Sequence, residues 1–298
     1  MPSRREFLGF VAGALALPSR LIAEEGNDKH DVNERLEEMA KAYRGYKEIA
    51  SADPLLVPGA KKGLVHWEWA HFTPYLTPEE LRAAEACQRE YFSVMAEAMQ
   101  DERIGLEEIM NEGIIEGMEK RHVGDQIRVL RDGVRNKLSV HSPFTLSSLR
   151  PSEDAVSNGM EDFATLSAPV PQNVWFYDHR SGRMRSKTLV VSPMGRVGAG
   201  IALASAKGLK IAACEDRHID AQAERAELHG TEEQVKKWVH TERNWHFVQL
   251  VAKGRRSIAH LLCGYNHDLR KDAEKQGVSL LIVTPKSVAA DRERVKAE

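Results

Sequence analysis

Residues Val239–Pro285 read VHTERNWHFVQLVAKGRRSIAHLLCGYNHDLRKDAEKQGVSLLIVTP. The spacing of apolar residues predicts an amphipathic helix to about Lys253, stopped by Gly254-Arg255-Arg256. An apolar run from Ile258 to Cys263 predicts a strand. Gly264-Tyr265-Asn266-His267 follows as a polar turn, then a helix to about Gln276 and a second apolar strand, Ser279 to Thr284. Strand, turn, helix, strand is the order of a parallel sheet. The expected fold class is therefore α/β: a central, mostly parallel sheet flanked by helices, in one large domain with helical insertions. Side chains at the carboxyl ends of such strands face the ligand crevice. Gly264, which permits a sharp turn, and His267 belong to such an end.

Gly63 to Thr77 reads GLVHWEWAHFTPYLT and predicts a second strand end of this kind. Leu64 to Trp69 is strand-like, His71 lies in the loop beyond it, and Thr77-Pro78-Glu79-Glu80 opens a helix with Thr77 as N-cap. The helix runs to about Gln100. Glu68 and His71 suit three roles: metal ligands, an acid/base pair, or a structural hydrogen bond. His66 and Glu68 share one strand face, where a buried setting would make core hydrogen bonding the role of both. Trp67 and Trp69 point the other way and read as packing residues.

Between these ends, Ile104 to Gly113 predicts a short strand, Glu108 to Asn111, with Glu112 at its carboxyl end. Ile114 to Val140 reads as helical. Ser142 to Gln172, rich in Ser, Pro and Asn, reads as irregular. Two apolar runs around Asp178–Gly182 predict a hairpin between Asn173 and Val191. Gly195, Gly198 and Gly200 precede a small-residue helix. They lack the GxGxxG order of a dinucleotide site and read as close packing. Leu209 to Cys214 predicts a strand ending in Glu215-Asp216, and a charged helix from about Asp220 breaks near Gly230.

The 298 residues are enough for a sizeable core. With 42 basic and 44 acidic residues the net charge is −2, which leaves no electrostatic footprint for nucleic acid. Cys87, Cys214 and Cys263 have no CxxC spacing and apolar neighbours, so they read as free buried thiols. Ser3-Arg4-Arg5-Glu6-Phe7-Leu8 and the apolar run to Leu17 resemble a twin-arginine (Tat) signal, with residues 1–23 as the removable leader. The run is too short to span a bilayer. The expectation is a periplasmic or secreted protein that meets the Tat translocase during export and keeps no stable membrane insertion. Residues 24–62 read as an N-terminal helix, about His30 to Ile49, and a linker. The α/β domain takes 63–298.

Taken in order, these pieces resemble the TraB/Tiki/GumN group and its ChaN- and erythromycin-esterase-like relatives, over Leu64 to Pro285. LVHWEWAHFTPYLT is similar to the group's first GxxH-type element, with His71 at the histidine. IMNEG places Glu112 at its acid, TERN places Arg243 and Asn244 at its Arg-Asn pair, and LLCGYNHD places Gly264 and His267 at the second GxxH element. This chain has Glu68 where the first element has glycine. The resemblance implies a hydrolase of peptide or ester bonds, with a small-molecule or peptide substrate. His71, Glu112 and His267 would hold a divalent ion, Zn or Mn, and Glu68 or Glu112 would act as general base. Arg243 would stabilise an oxyanion or anchor its helix. The alternative it implies is a non-catalytic periplasmic binder of haem or metal.

Overall fold

A computed structural model of the protein describes residues 31–70, 77–140, 151–178 and 183–297. In chain order, helix α1 (Val32–Arg44) leads into strands β1 (Ile49–Leu55) and β2 (Lys62–Trp69). Helix α2 (Pro78–Ala98) and strand β3 (Glu108–Ile115) follow, then helices α3 (Glu119–Val140), α4 (Glu153–Glu161) and α5 (Phe163–Ser167). A hairpin of β4 (Val170–Asp178) and β5 (Arg183–Val191) precedes helices α6 (Pro193–Val197) and α7 (Ala199–Lys207). Strand β6 (Lys210–Glu215), helices α8 (Arg217–His229) and α9 (Glu232–Val235), a π-helix (Lys236–Glu242) and helix α10 (Arg243–Lys253) come next. The chain closes with β7 (Ile258–Gly264), α11 (Arg270–Gln276), β8 (Val278–Pro285) and α12 (Lys286–Ala297).

The apolar strands pair as their composition requires. Six of them form one sheet in the order β1-β8-β2-β7-β3-β6. All neighbours are parallel except β1, which runs antiparallel to β8. Strands β2, β7 and β8 are buried almost throughout, as strands covered on both faces must be. On one face Val65, Trp67, Leu262, Leu281 and Val283 pack under α1, α2, α3 and α7. Trp67 stands edge-on to Tyr43 and Tyr91, the packing role expected of it. On the other face Leu64, Leu261, Cys263, Leu280 and Ile282 pack under Phe247, Val248 and Val251 of α10, with Ala273 of α11.

This arrangement fixes where a ligand belongs. From β2 the chain crosses over the α2 face to β3. From neighbouring β7 it crosses over the α11 face to β8, in the opposite direction. Adjacent parallel strands whose connections depart to opposite sides leave a crevice at their carboxyl ends. Glu68 and Trp69 lie at one such end, Gly264 at the other.

Two sequence expectations change. The segment expected as helix and linker up to residue 62 holds a strand of the sheet: α1 ends at Arg44, and Ile49–Leu55 pairs with β8. Pro54 is tolerated in β1 because this is an edge strand and needs donors on one side only. Within the stretch expected to be irregular, Glu153–Glu161 and Phe163–Ser167 are helices, capped by the Ser152 and Asp162 side chains. The hairpin is present, and the α2 N-terminus carries the full capping box between Thr77 and Glu80. All three cysteines are free and buried. The leader at 1–23, His71, residues 141–150 and the hairpin turn at 179–182 lie outside the described residues.

Candidate active site

At the end of β7 the chain turns on itself, with the His267 amide donating to the Gly264 carbonyl at 3.0 Å. The Tyr265 amide donates to the Trp69 carbonyl at 3.0 Å and ties this turn to the end of β2. The turn carries His267 back over the strand ends, where its imidazole is 5% exposed. Phe247 of α10 packs against the ring at 5.6 Å between centroids.

Asn244 sets the tautomer of that ring. Its Nδ2 donates to the Asp268 carbonyl at 3.1 Å, so its Oδ1 is the atom that faces His267 Nδ1, at 2.6 Å. An amide oxygen only accepts, so Nδ1 carries the hydrogen. Nε2 then faces Glu112 Oε1 at 3.2 Å. A bare ring nitrogen and a bare carboxylate repel at that distance. The pair therefore holds one proton between them, as imidazolium and carboxylate or as imidazole and carboxylic acid. The other oxygen, Glu112 Oε2, accepts from the Gly264 amide at 2.8 Å.

Behind this pair lies a compact charge cluster. Arg243 Nε donates to Glu215 Oε2 at 3.1 Å and its Nη2 to Asp220 Oδ1 at 3.0 Å, with Nη1 3.8 Å from Glu112 Oε1. Burial acts to lower the Arg243 pKa, but the carboxylates of Glu215, Glu112 and Asp220 outweigh it and the net shift is upward. Glu215 is fully buried, and burial pushes its pKa up to about 7 against the opposing pull of Arg243. Burial thus brings the Glu215 carboxyl close to neutrality beside the guanidinium. The π-helix ends where this cluster begins. Such wide turns concentrate at functional sites. It also brings His240 to 6.1 Å from His267, ring to ring, with the His240 pKa lowered by burial and by the His267 and Arg243 charges.

The structure thus brings together His267, Glu112 and Arg243. It engages Glu68 elsewhere: both carboxylate oxygens meet Arg292 of α12, at 2.7 and 2.6 Å, and Oε2 also accepts from the Thr284 hydroxyl at 2.7 Å. A carboxylate held by three charge-assisted or hydroxyl donors is an anchor rather than a general base, which corrects the expectation for that residue. Arg243, with its two close carboxylates, likewise has the helix-anchoring role and little left for an oxyanion. His66 makes the core contact anticipated for it, Nε2 to Cys263 Sγ at 3.0 Å, and burial lowers its pKa to about 4. Sequence reasoning missed His240, Asp220 and Arg292. The Arg243-Asn244 pair was in view, but nothing local marked Asn244 as the partner of His267.

Glu112 and Gly113 also line a cleft of about 200 Å³ on the α2 and α7 side, together with Trp69, Gln88, Arg196 and Gly198. Compared with protein-family models, curated proteins and solved structures, the chain matches none of them. What the site can do is therefore read from its own atoms. His267 Nε2 and Glu112 Oε1 sit about as far apart as two ligands on one edge of a tetrahedral zinc site, roughly 3.3 Å. The Asn244 bond to Nδ1 is the kind that orients a metal-bound or proton-transferring histidine. Among the described residues no third His, Cys, Asp or Glu completes a metal site. The remaining expected ligand, His71, lies outside them.

Proposed function

We propose that this protein is a hydrolase of peptide or ester bonds in small substrates, with His267 and Glu112 as its acid/base pair. The observation that carries this reading is the 3.2 Å contact between His267 Nε2 and Glu112 Oε1, with Asn244 Oδ1 2.6 Å from the opposite nitrogen. Glu112 is among the residues that line the cleft, and its carboxylate meets the histidine. It takes a proton from a water adding to the substrate carbonyl, with His267 holding or releasing that proton, and the proton is returned to the leaving alcohol or amine. A divalent ion bound by His267 and Glu112, with a further ligand from the segment of His71, would supply Lewis-acid activation of the same water. The resemblance to the TraB/Tiki/GumN group supports hydrolysis. The Ser3–Leu17 pattern supports export by the Tat route.

The test is turnover of a panel of p-nitrophenyl esters and short peptides by wild type, His267→Ala and Glu112→Gln. Each variant is expected to lose about 10²–10⁴-fold in kcat/KM with its unfolding midpoint kept. A chelator arm, followed by added Zn or Mn, reports whether an ion takes part. No turnover by wild type on the panel, or equal turnover in both variants, would overturn the reading.

A further inference from the structure

Three glycines line the cleft beside Glu112. Gly113 (φ 85°) and Gly198 (φ 92°) line it in a backbone region that L side chains rarely adopt, and Gly195 lines it with no side chain. Into this side-chain-poor wall α6 delivers Arg196. The guanidinium is half-buried, and among the described residues its one hydrogen bond goes to a neutral group, Gln172 Oε1 at 3.3 Å. Gln172 is itself buried and oriented, since its Nε2 donates to the Val191 carbonyl at 2.9 Å. A fixed amide thus holds one nitrogen of the guanidinium. The acid that acts on it through space, Asp132, is already bonded to Arg135 at 2.8 Å.

A half-buried guanidinium with no acid bonded to it among the described residues suits an anion. In the same cleft Trp69 supplies an aromatic wall, and Gln88 supplies a buried amide. The negative charge of Glu112 does not forbid this, because His267, Arg243 and the Gly264 amide already face its oxygens.

We infer that this cleft is a carboxylate-recognition subsite, with Arg196 reading the acid group of a small ligand whose neighbouring bond then lies toward Glu112. The volume of about 200 Å³ suits a ligand the size of one acylated amino acid. The inference rests on the hydrolase reading for the meaning of Glu112 and deepens it by naming the substrate class: substrates with a free carboxylate, as at a peptide C-terminus.

The test uses a matched pair of probes, N-acetyl-L-alanine and N-acetyl-L-alanine amide, titrated into the full chain by calorimetry or ligand-observed NMR. The acid is expected to bind about tenfold or more tightly than the amide, as a charge-assisted bidentate contact provides. Arg196→Gln should erase the preference, and Arg196→Lys should keep part of it. Equal binding of acid and amide, no binding of either, or an unchanged preference in Arg196→Gln overturns the subsite. If the ester and peptide panel gives no turnover while the acid preference stands, the reaction falls and the subsite survives. The reverse result removes the subsite alone.

Discussion

Asn244 does for His267 what no residue of the strand end itself can do, which is to decide which nitrogen faces Glu112. Asn244→Asp keeps the shape and the acceptor but adds charge beside the imidazole. Asn244→Leu removes the bond. The leucine variant is expected to lose about 10–100-fold in kcat/KM with KM little changed, measured by steady-state kinetics on the best panel substrate. Glu215 gives a second prediction at this scale. Its folded pKa of about 7 stands above its ordinary 4.5. The folded state therefore binds the proton more tightly than the unfolded chain. Its contribution is fully present below pH 4.5, is lost as pH rises through about 7, and is flat beyond. At 1.36 kcal/mol per unit this is on the order of 3 kcal/mol. Denaturant midpoints taken across that window should fall for wild type and flatten in Glu215→Gln. A wild type whose stability rises through the window would refute the assignment. Glu112, expected just past a strand end, lies within β3, which runs on to Ile115, whereas Gly264 and His267 were legible in the sequence because a strand visibly stops there. Glu68 looked the same from its own neighbours. Its true setting depends on Arg292, 224 residues away, which no local pattern reveals.

Elements were legible where burial dictates them. The apolar runs of β2, β7 and β8 have no alternative to a two-faced sheet, and the Thr77-Pro78 start of α2 carries its own capping chemistry. The strand β1 was hidden because Ala52-Asp53-Pro54 resembles a break, and only pairing along one edge makes that sequence acceptable. The elbow between α6 and α7 is the element on which the cleft depends. A Cβ at Gly198 would lie 2.9 Å from Trp69 Cζ3, on a backbone at φ 92°. Gly198→Ala is expected to cost about 1–3 kcal/mol in denaturant unfolding and to shift Trp69 fluorescence. An alanine variant as stable as wild type would mean that the elbow is not held in this conformation.

At the scale of the molecule, α12 is fastened to the sheet by the Arg292–Glu68 pair, in which Glu68 is 3% exposed and Arg292 34%. Removing the arginine strands a buried carboxylate. Because one partner is partly solvated, the expected cost of Arg292→Met is about 1–3 kcal/mol, below that of a fully buried pair. The double variant with Glu68→Gln should recover part of it in the same unfolding assay. A single variant with no loss would show that the acid finds water instead.

The place of β2 in the sheet also governs how the protein can be made. Both of its neighbours are encoded near the far end, with Gly63 opposite Ile258 on one side and Ser279 on the other. While the ribosome is still translating α10, this apolar ribbon has neither partner. Two bare edges of Leu64-Val65-His66-Trp67 must wait until residues 258–283 have been made. Nascent chains arrested before residue 258 should need a holding chaperone, and release of residues 258–285 should make them protease-resistant in one step.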